Sequence, residues 1–333
     1  MKSGLSFLWR RIVRGIWTLI ALTALTYFMI EWTIDGGVGA VVLGGCPRDA
    51  ETGFCAQIIE RYRLNDPVWL RYLKWLGDAF TGDLNTSSRG SLRGGQEVTE
   101  VIGHRVSITT QLALTSIVLA VIISVPLGVY SAYRDHHWSG RSVSLAVQAM
   151  QSVPVFVSGL FLIWVFAEQL GWLPASGWTR ISDSYSGNFK TLILPSFTLA
   201  FAEIGVFARV IRADILETFG AEFVSAAKAK GLSDRYLMFR HVLRPSSVGL
   251  LTVIGLNLST LLGGAVIVEI VFGIGGIGPQ LFEAILTRDI YLILGITLYI
   301  GAIYIAISGI VDYVYSKVDP RIIDAASTKA RYS

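Results

Sequence analysis

Six runs of apolar residues constrain this chain more than any other feature. They cover residues 15–34, 107–133, 143–170, 191–211, 248–272 and 291–315. Each is rich in Leu, Ile, Val and Ala and is long enough to cross the roughly 30 Å hydrocarbon core of a bilayer as a helix of about 20 residues. Glycine and proline inside them (Pro126, Pro154, Gly255) fit this reading, because neighbouring helices and waters satisfy the freed backbone groups. Hydrophobic residues make up 53% of the chain and charged residues 16%, against about 25% charged in soluble domains. A cytosolic enzyme and a disordered chain are both excluded. The expectation is an all-α polytopic membrane protein with six transmembrane helices. A net charge of +4, spread along the chain, forms no cluster suited to nucleic acid.

Charge asymmetry sets the orientation. With the N-terminus inside, the inner segments carry 17 Lys and Arg, including Arg209 at the end of the fourth run and Arg212, Lys228, Lys230, Arg235, Arg240 and Arg244 between the fourth and fifth runs. The two short outer loops carry three, Arg180, Lys190 and Arg288. The excess belongs on the cytoplasmic side. The expected order is a cytoplasmic N-terminus (1–14), a first span, an extracytoplasmic loop (35–106), a membrane core (107–315) with a cytoplasmic segment at 212–247, and a cytoplasmic tail (316–333). Leu43-Gly44-Gly45-Cys46 resembles a lipoprotein cleavage site, but Glu31 and Asp35 separate it from the apolar run, and Ile34 lies beyond a normal signal length.

The outer loop is long enough to need structure of its own. Asp66-Pro67 reads as an N-cap followed by proline at the first helical position. Val68, Trp69, Tyr72, Leu73, Leu76 and Phe80 then recur at helical spacing, with Arg71, Lys74 and Asp78 on the other face. This amphipathic helix rests either on the membrane surface or on the protein. Cys46 and Cys55 lie in the same loop, where an oxidising compartment permits a bridge; a disulfide and two free thiols both stand. Two cysteines with no nearby histidine make no metal site, and His136-His137 in an inner turn reads as a solvated pair.

Gly273-Ile274-Gly275-Gly276-Ile277-Gly278 matches the dinucleotide fingerprint G-x-G-x-x-G but lies at the end of an apolar run, where a tight turn or re-entrant bend is the better reading. The chain has no P-loop, no H-E-x-x-H and no G-x-S-x-G, so it carries no ATP site of that kind and no zinc-protease or serine-hydrolase signature.

Four polar groups inside the runs are candidates to line a path: Gln148, Gln151, Asn257 and Ser259. Polar side chains within spans also simply join helices. Glu203 stands out among residues within the runs, because a charged residue at a span's centre costs about 2.5–3.5 kcal/mol on insertion scales. It lines a translocation path and meets a peptide's amino end, or it pairs with another span, or it snorkels toward Arg209. Glu269, near the outer end of the fifth run, is an outer gate or an interfacial anchor.

Between the fourth and fifth runs, residues 221–230 favour helix through alanine and lysine. Lys228 and Lys230 suit the negative end of its dipole, and Gly231 is placed to stop it in the left-handed conformation, with Leu232 folding back. Ser233 offers an N-cap for a second helix through Arg240, which Pro245 ends. Small side chains along the first helix allow another protein to approach its backbone closely.

Ser225-Ala226-Ala227, Gly231 and Leu243 resemble the EAA loop of ABC importer permeases. The family pattern has Glu where this chain has Ser225, Ile at His241, and Pro at Arg244, one residue before Pro245. Ala229-Lys230-Gly231-Leu232-Ser233 and Arg240-His241-Val242-Leu243-Arg244 are similar to the peptide-importer branch. So are Asp66-Pro67-Val68-Trp69, Gly82-Asp83-Leu84, Leu170-Gly171-Trp172-Leu173-Pro174-Ala175-Ser176-Gly177, Glu269-Ile270-Val271-Phe272 and Asp319-Pro320-Arg321. The chain therefore resembles the first, B-type, permease of dipeptide, oligopeptide and nickel importers over most of its length. Gly275-Gly276-Ile277-Gly278 departs from the usual Pro-Gly-Leu-Gly. The resemblance implies a type I importer permease fold in the inner membrane. Its implied partners are a second related permease, two ATPase subunits that carry ATP and magnesium, and an extracytoplasmic solute-binding protein. No cofactor is implied on this chain. It also implies a coupling helix in which Ser225, Ala226, Ala227 and Gly231 supply a close fit, and Lys228, Lys230, Arg235 and Arg240 supply charge. Peptide is favoured over nickel because no histidine falls well inside a span. The rival from another class is a proton-coupled secondary transporter using Glu203.

Overall fold

The computed structural model describes residues 2–33, 57, 59, 60, 62–85 and 97–318, with side chains at 2–12, 248, 258–260, 262–264 and 311–318 excepted. Cys46, Cys55, Asp319-Pro320-Arg321 and the Ser259 side chain lie outside the described residues. The helices are α1 (Lys2–Thr33), α2 (Val68–Phe80), α3 (Val98–Tyr133), α4 (Trp138–Ser152), α5 (Val155–Leu162), α6 (Tyr185–Phe219), α7 (Glu222–Ala229), α8 (Asp234–Leu237), α9 (Leu243–Val271), α10 (Ile277–Leu286) and α11 (Ile290–Val318). The fold is all-α; the described residues form no strand longer than an isolated bridge.

Among the described residues, four helices are long and apolar enough to cross a membrane: α1 over Val13–Thr33, α3, α6, and α11 over Ile290–Ile310. The run at 143–170, read as one span, is instead two helices bent by 105° at Val153-Pro154. Proline lacks the N–H that would continue α4, and it drives the residue before it out of helical space. Val153 accordingly sits at φ −85°, ψ 124°, and Pro154 opens α5. Counting the bent pair as one span gives five. The run at 248–272 lies on α9, a continuous helix of 29 residues. Helices α3 and α6 outrun the apolar runs that located them, at 36 and 35 residues. Hydropathy marks the stretch that suits lipid, whereas helical hydrogen bonding continues past it into polar sequence.

The described residues divide into two compact units, one within 1–108 and 275–306, the other within 109–274 and 307–318. The first is built on a core of Tyr27, Tyr62, Tyr72, Trp75, Val98 and the 290–296 segment of α11. Tyr62 stacks on Tyr291 with ring centres 5.0 Å apart. Helices α1 and α11 approach so closely that a Cβ on Gly301 would overlap the Leu19 side chain, the small-residue contact typical of helices packed in lipid.

Helix α2 corrects the expected faces. Its N-cap is Pro67 with no side-chain cap; Asp66 binds Lys74 instead at 2.7 Å. Arg71, expected on the polar face, is buried with Tyr72 and Trp75. It turns inward because Glu31 of α1 waits there, and Arg71 Nη2 donates to Glu31 Oε1 at 2.9 Å. Tyr72 donates to the Ile20 carbonyl and meets the Thr23 hydroxyl, both at 2.9 Å. Burial pushes the Tyr72 phenol above its ordinary range, against the Thr23 hydrogen bond.

In the second unit α6 is central and packs against α9, α4 and α5. Ile204, Phe207, Ile211 and Ile215 of α6 form a core with Val224, Leu237, Met238 and Val242 from the segment that follows it. Helix α9 ends at Gly273, whose φ of +61° is left-handed. The Ile274 N–H then reaches the Glu269 carbonyl at 2.8 Å and the Gly273 N–H the Ile270 carbonyl at 3.2 Å, a Schellman stop. The glycine-rich hexapeptide is thus a turn after a helix, with no strand before it, and the dinucleotide reading is excluded.

Candidate functional site

The segment between α6 and α9 folds as the local signals dictate. Helix α7 ends in a full Schellman motif: the Leu232 N–H donates to the Ala227 carbonyl at 3.4 Å and the Gly231 N–H to the Lys228 carbonyl at 2.9 Å. Gly231 takes φ +83°, which an L side chain would resist. Ser233 caps α8 by accepting from the Tyr236 N–H at 3.4 Å. Pro245 does not end the second helix. The backbone widens into a π-helical turn over Met238–Val242 and runs on into α9. Pro245 then falls in the first turn of α9, where its missing donor is cheapest.

Burial separates an anchoring face from a presenting face. Val224 is fully buried, as are Leu237, Met238 and Val242, and they seat the segment on α6. Ala227 is half-buried and packs against this same core, so it faces its own chain. Ser225, Ala226, Ala229 and Lys230 are exposed, beside the exposed rings of Phe223 and Tyr236. Gly231, Arg235 and Arg240 are exposed too. Lys228 is already engaged: its ammonium lies 3.0 Å from Asp234 and 5.4 Å from the centre of the Phe219 ring. Two further contacts tie this end of the unit together, the Arg212–Asp135 ion pair between α6 and the α3–α4 turn, and the hydroxyls of Thr218 and Ser246 at 3.1 Å.

The polar residues of the apolar runs are only partly brought together. Glu203 of α6 and Asn257 of α9 meet, with Asn257 Nδ2 donating to Glu203 Oε2 at 2.6 Å. Gln151 lies elsewhere, against Gly205, where a Cβ would overlap its side chain. Positions 203 and 205 point to opposite sides of a helix at about 100° per residue. Gln148 is exposed on α4. Glu269 is fully buried and accepts from the Thr109 hydroxyl at 2.5 Å, which rules out an exposed interfacial anchor and leaves a link between α3 and α9.

Sequence reasoning missed the polar chain at the end of the unit holding residues 170–184. Gln111 Nε2 donates to Asn188 Oδ1 at 2.7 Å, and Asn188 Nδ2 to the Thr179 carbonyl at 2.7 Å. The Gly177 N–H donates to the Phe272 carbonyl at 2.9 Å, fixing the 170–177 motif to the end of α9. Gln111 inside a run was the available signal.

The family described as "Binding-protein-dependent transport system inner membrane component" matches residues 124–324. The dipeptide transport system permease protein DppB of Alkalihalophilus pseudofirmus is 32% identical over 338 residues, covering 96% of this chain and 99% of that one. The oligopeptide transport system permease proteins AppB of Bacillus subtilis and OppB of Salmonella typhimurium are 32% identical over 319 residues and 31% identical over 323. They cover 95% and 96% of this chain and 99% of each relative. Among solved structures, the MetNI methionine ABC transporter in inward-facing form gives a TM-score of 0.48 at 19% identity, over 64% of this chain and 96% of that one. The family profile spans more than half of the residues and the relatives align nearly end to end, so the chain belongs to the binding-protein-dependent transport system inner membrane components, the membrane-spanning permeases of ABC transporters.

Proposed function

We propose that this chain is one permease subunit of an ATP-driven importer of di- or oligopeptides. It crosses the inner membrane six times with both termini in the cytoplasm, and it forms half of the translocation path. A second permease of the same family supplies the other half. Two ATPase subunits bind ATP and magnesium, and an extracytoplasmic binding protein delivers the peptide. The chain itself is non-catalytic and carries no cofactor. The peptide assignment is supported by relatives named for dipeptide and oligopeptide transport.

The observation that carries the coupling role is the two-faced segment α7–α8. Its buried face makes it a rigid continuation of α6, while its exposed face offers Ser225, Ala226 and Ala229 as a surface of small side chains. Lys230, Arg235 and Arg240 are exposed and would meet acidic groups. Motion of a docked ATPase would pass through Val224 and Leu237 to α6 and α9, where Glu203 and Asn257 line the path and the buried Glu269–Thr109 link holds the outer end closed. Gln148 and Ser259 are subsidiary lining positions, whereas Gln151, packed against Gly205 on the other side of α6 from Glu203, joins α4 to α6.

The test is purification of the tagged chain in mild detergent, with mass spectrometry of what comes with it. Wild type should bring an ATPase and a second permease. Ala226→Arg places a large cation on the exposed face without touching the core, and should lose most of the ATPase while keeping the permease. Ala227 is the wrong site for this test, because its half-buried side chain confounds docking with folding. A chain that purifies alone, with uptake that collapses with the proton gradient, would overturn the importer in favour of a secondary transporter.

A further inference from the structure

Helix α2 has three sectors, and only two are accounted for by the protein and by water. At about 100° per residue, Arg71, Tyr72 and Trp75 form the buried sector. Lys74 and Asp78 form a charged sector, closed by ion pairs to Asp66 at 2.7 Å and to Arg63 at 3.3 Å. The third sector, roughly a third of a turn from each, holds Trp69, Leu73 and Phe80, which are 57%, 52% and 70% exposed. A soluble helix with one face buried and one charged has no reason to carry a second apolar stripe of large side chains.

The contacts of the buried sector say what medium the stripe meets. Arg71 is held by Glu31 and Tyr72 by Thr23 and Ile20, all on the candidate span Val13–Thr33 of α1. Glu31 is about 3 Å and Thr23 about 15 Å along the axis from the Thr33 end. Ile20, reached by the Tyr72 hydroxyl, is about 20 Å from that end, so these contacts hold α2 beside a membrane span between its Thr33 end and its middle rather than out in solution. The same half of α1 exposes Leu25, Phe28, Met29 and Trp32, a surface that faces acyl chains and ends in an interfacial tryptophan.

We infer that α2 is an interfacial helix of the long loop, with Trp69, Leu73 and Phe80 immersed in the headgroup–acyl boundary of the bilayer while Lys74 and Asp78 face water. The occupant of the stripe is lipid. The helix thereby clamps the loop at a fixed depth: protein on one side, lipid beneath, water above.

The test is nitroxide accessibility in the full chain, with the subunits that co-purify with it, reconstituted into phosphatidylcholine–phosphatidylglycerol vesicles. Labels go singly at Trp69→Cys, Leu73→Cys, Phe80→Cys, Lys74→Cys and Asp78→Cys, in a chain carrying Cys46→Ser and Cys55→Ser. Labels at 69, 73 and 80 should relax more with dissolved oxygen than with a water-soluble nickel chelate, and those at 74 and 78 the reverse. Ready access of the nickel chelate to all five would place the stripe in water and overturn the inference. Shielding of 69, 73 and 80 from both reagents would mean a protein partner covers the stripe, and would overturn it equally. A second measurement leaves the native cysteines untouched: Trp69→Phe should lower the share of tryptophan emission that brominated lipids quench, and an unchanged share counts against lipid contact.

Discussion

Glu203 receives one hydrogen bond, from Asn257, on Oε2; among the described residues Oε1 has none. Two roles lead to different chemistry. As a helix joiner the side chain needs only shape and an acceptor, and Glu203→Gln keeps both. As the group that meets a peptide's ammonium it needs charge, and a hydrogen bond to a charged group contributes about 1.5–3 kcal/mol, so its loss is at least about tenfold in affinity. On the pathway reading, Glu203→Gln should raise KM for a free-amino peptide about tenfold or more, with little change for the same peptide N-acetylated. Uptake assays with the two peptides check this. Equal KM values in wild type and variant for both peptides would leave Glu203 as a joiner of α6 to α9.

Between elements, what was legible in the sequence divides by distance along the chain. The stop at Gly231 and the cap at Ser233 read correctly, because each depends on residues within a turn of itself. Arg71 did not, because its inward position depends on Glu31, forty residues away, and helical spacing alone assigns a cation to the wet face. Pro154 did not either, since an apolar run looks alike whether its helix is straight or broken, and Val153 and Pro154 bend it by 105°. In the candidate site, the resemblance singled out the segment proposed to couple to an ATPase but not its faces. Ala226 and Ala227 are equivalent by residue type and are distinguished only by how α7 docks on Val224 and its neighbours. The Arg71–Glu31 pair gives a test of the α1–α2 contact. Its two side chains are 5% and 18% exposed, so the pair is largely shielded from water. Arg71→Met alone removes the guanidinium from which Glu31 accepts, a loss of up to about 3–5 kcal/mol for a buried pair. The double change Arg71→Met with Glu31→Gln should recover most of it. Thermal midpoints of the three proteins in detergent check the pattern, and a double variant as unstable as the single one would show that the pair does not set the contact.

At the scale of the whole molecule, the functional reading depends on which side of the membrane holds α7 and α8. The proposed side rests on charge: Lys and Arg number 17 on the segments assigned inside and three on the short loops assigned outside. Orientation follows such a bias because long loops translocate largely regardless of charge, whereas short ones do not. The loop at 35–106 is of the first kind, and its charges leave the count undisturbed. Helix geometry is the same for either side, but it sets the segment clear of the apolar run. Beyond its apolar run, α6 continues through Arg212 and Asp214 to Phe219, carrying the anchored segment out of the bilayer on a rigid stem instead of a loop. A fluorescent protein fused after Ser333 should therefore light up and alkaline phosphatase at the same point stay inactive, while phosphatase inserted between residues 86 and 96 should be active. The reverse pattern would put α7 and α8 outside the cell, where no ATPase could reach Ala226, and the importer mechanism would fail with it. The lipid contact proposed for α2 would survive that outcome, because it depends on depth along α1 and not on the side from which α1 is entered.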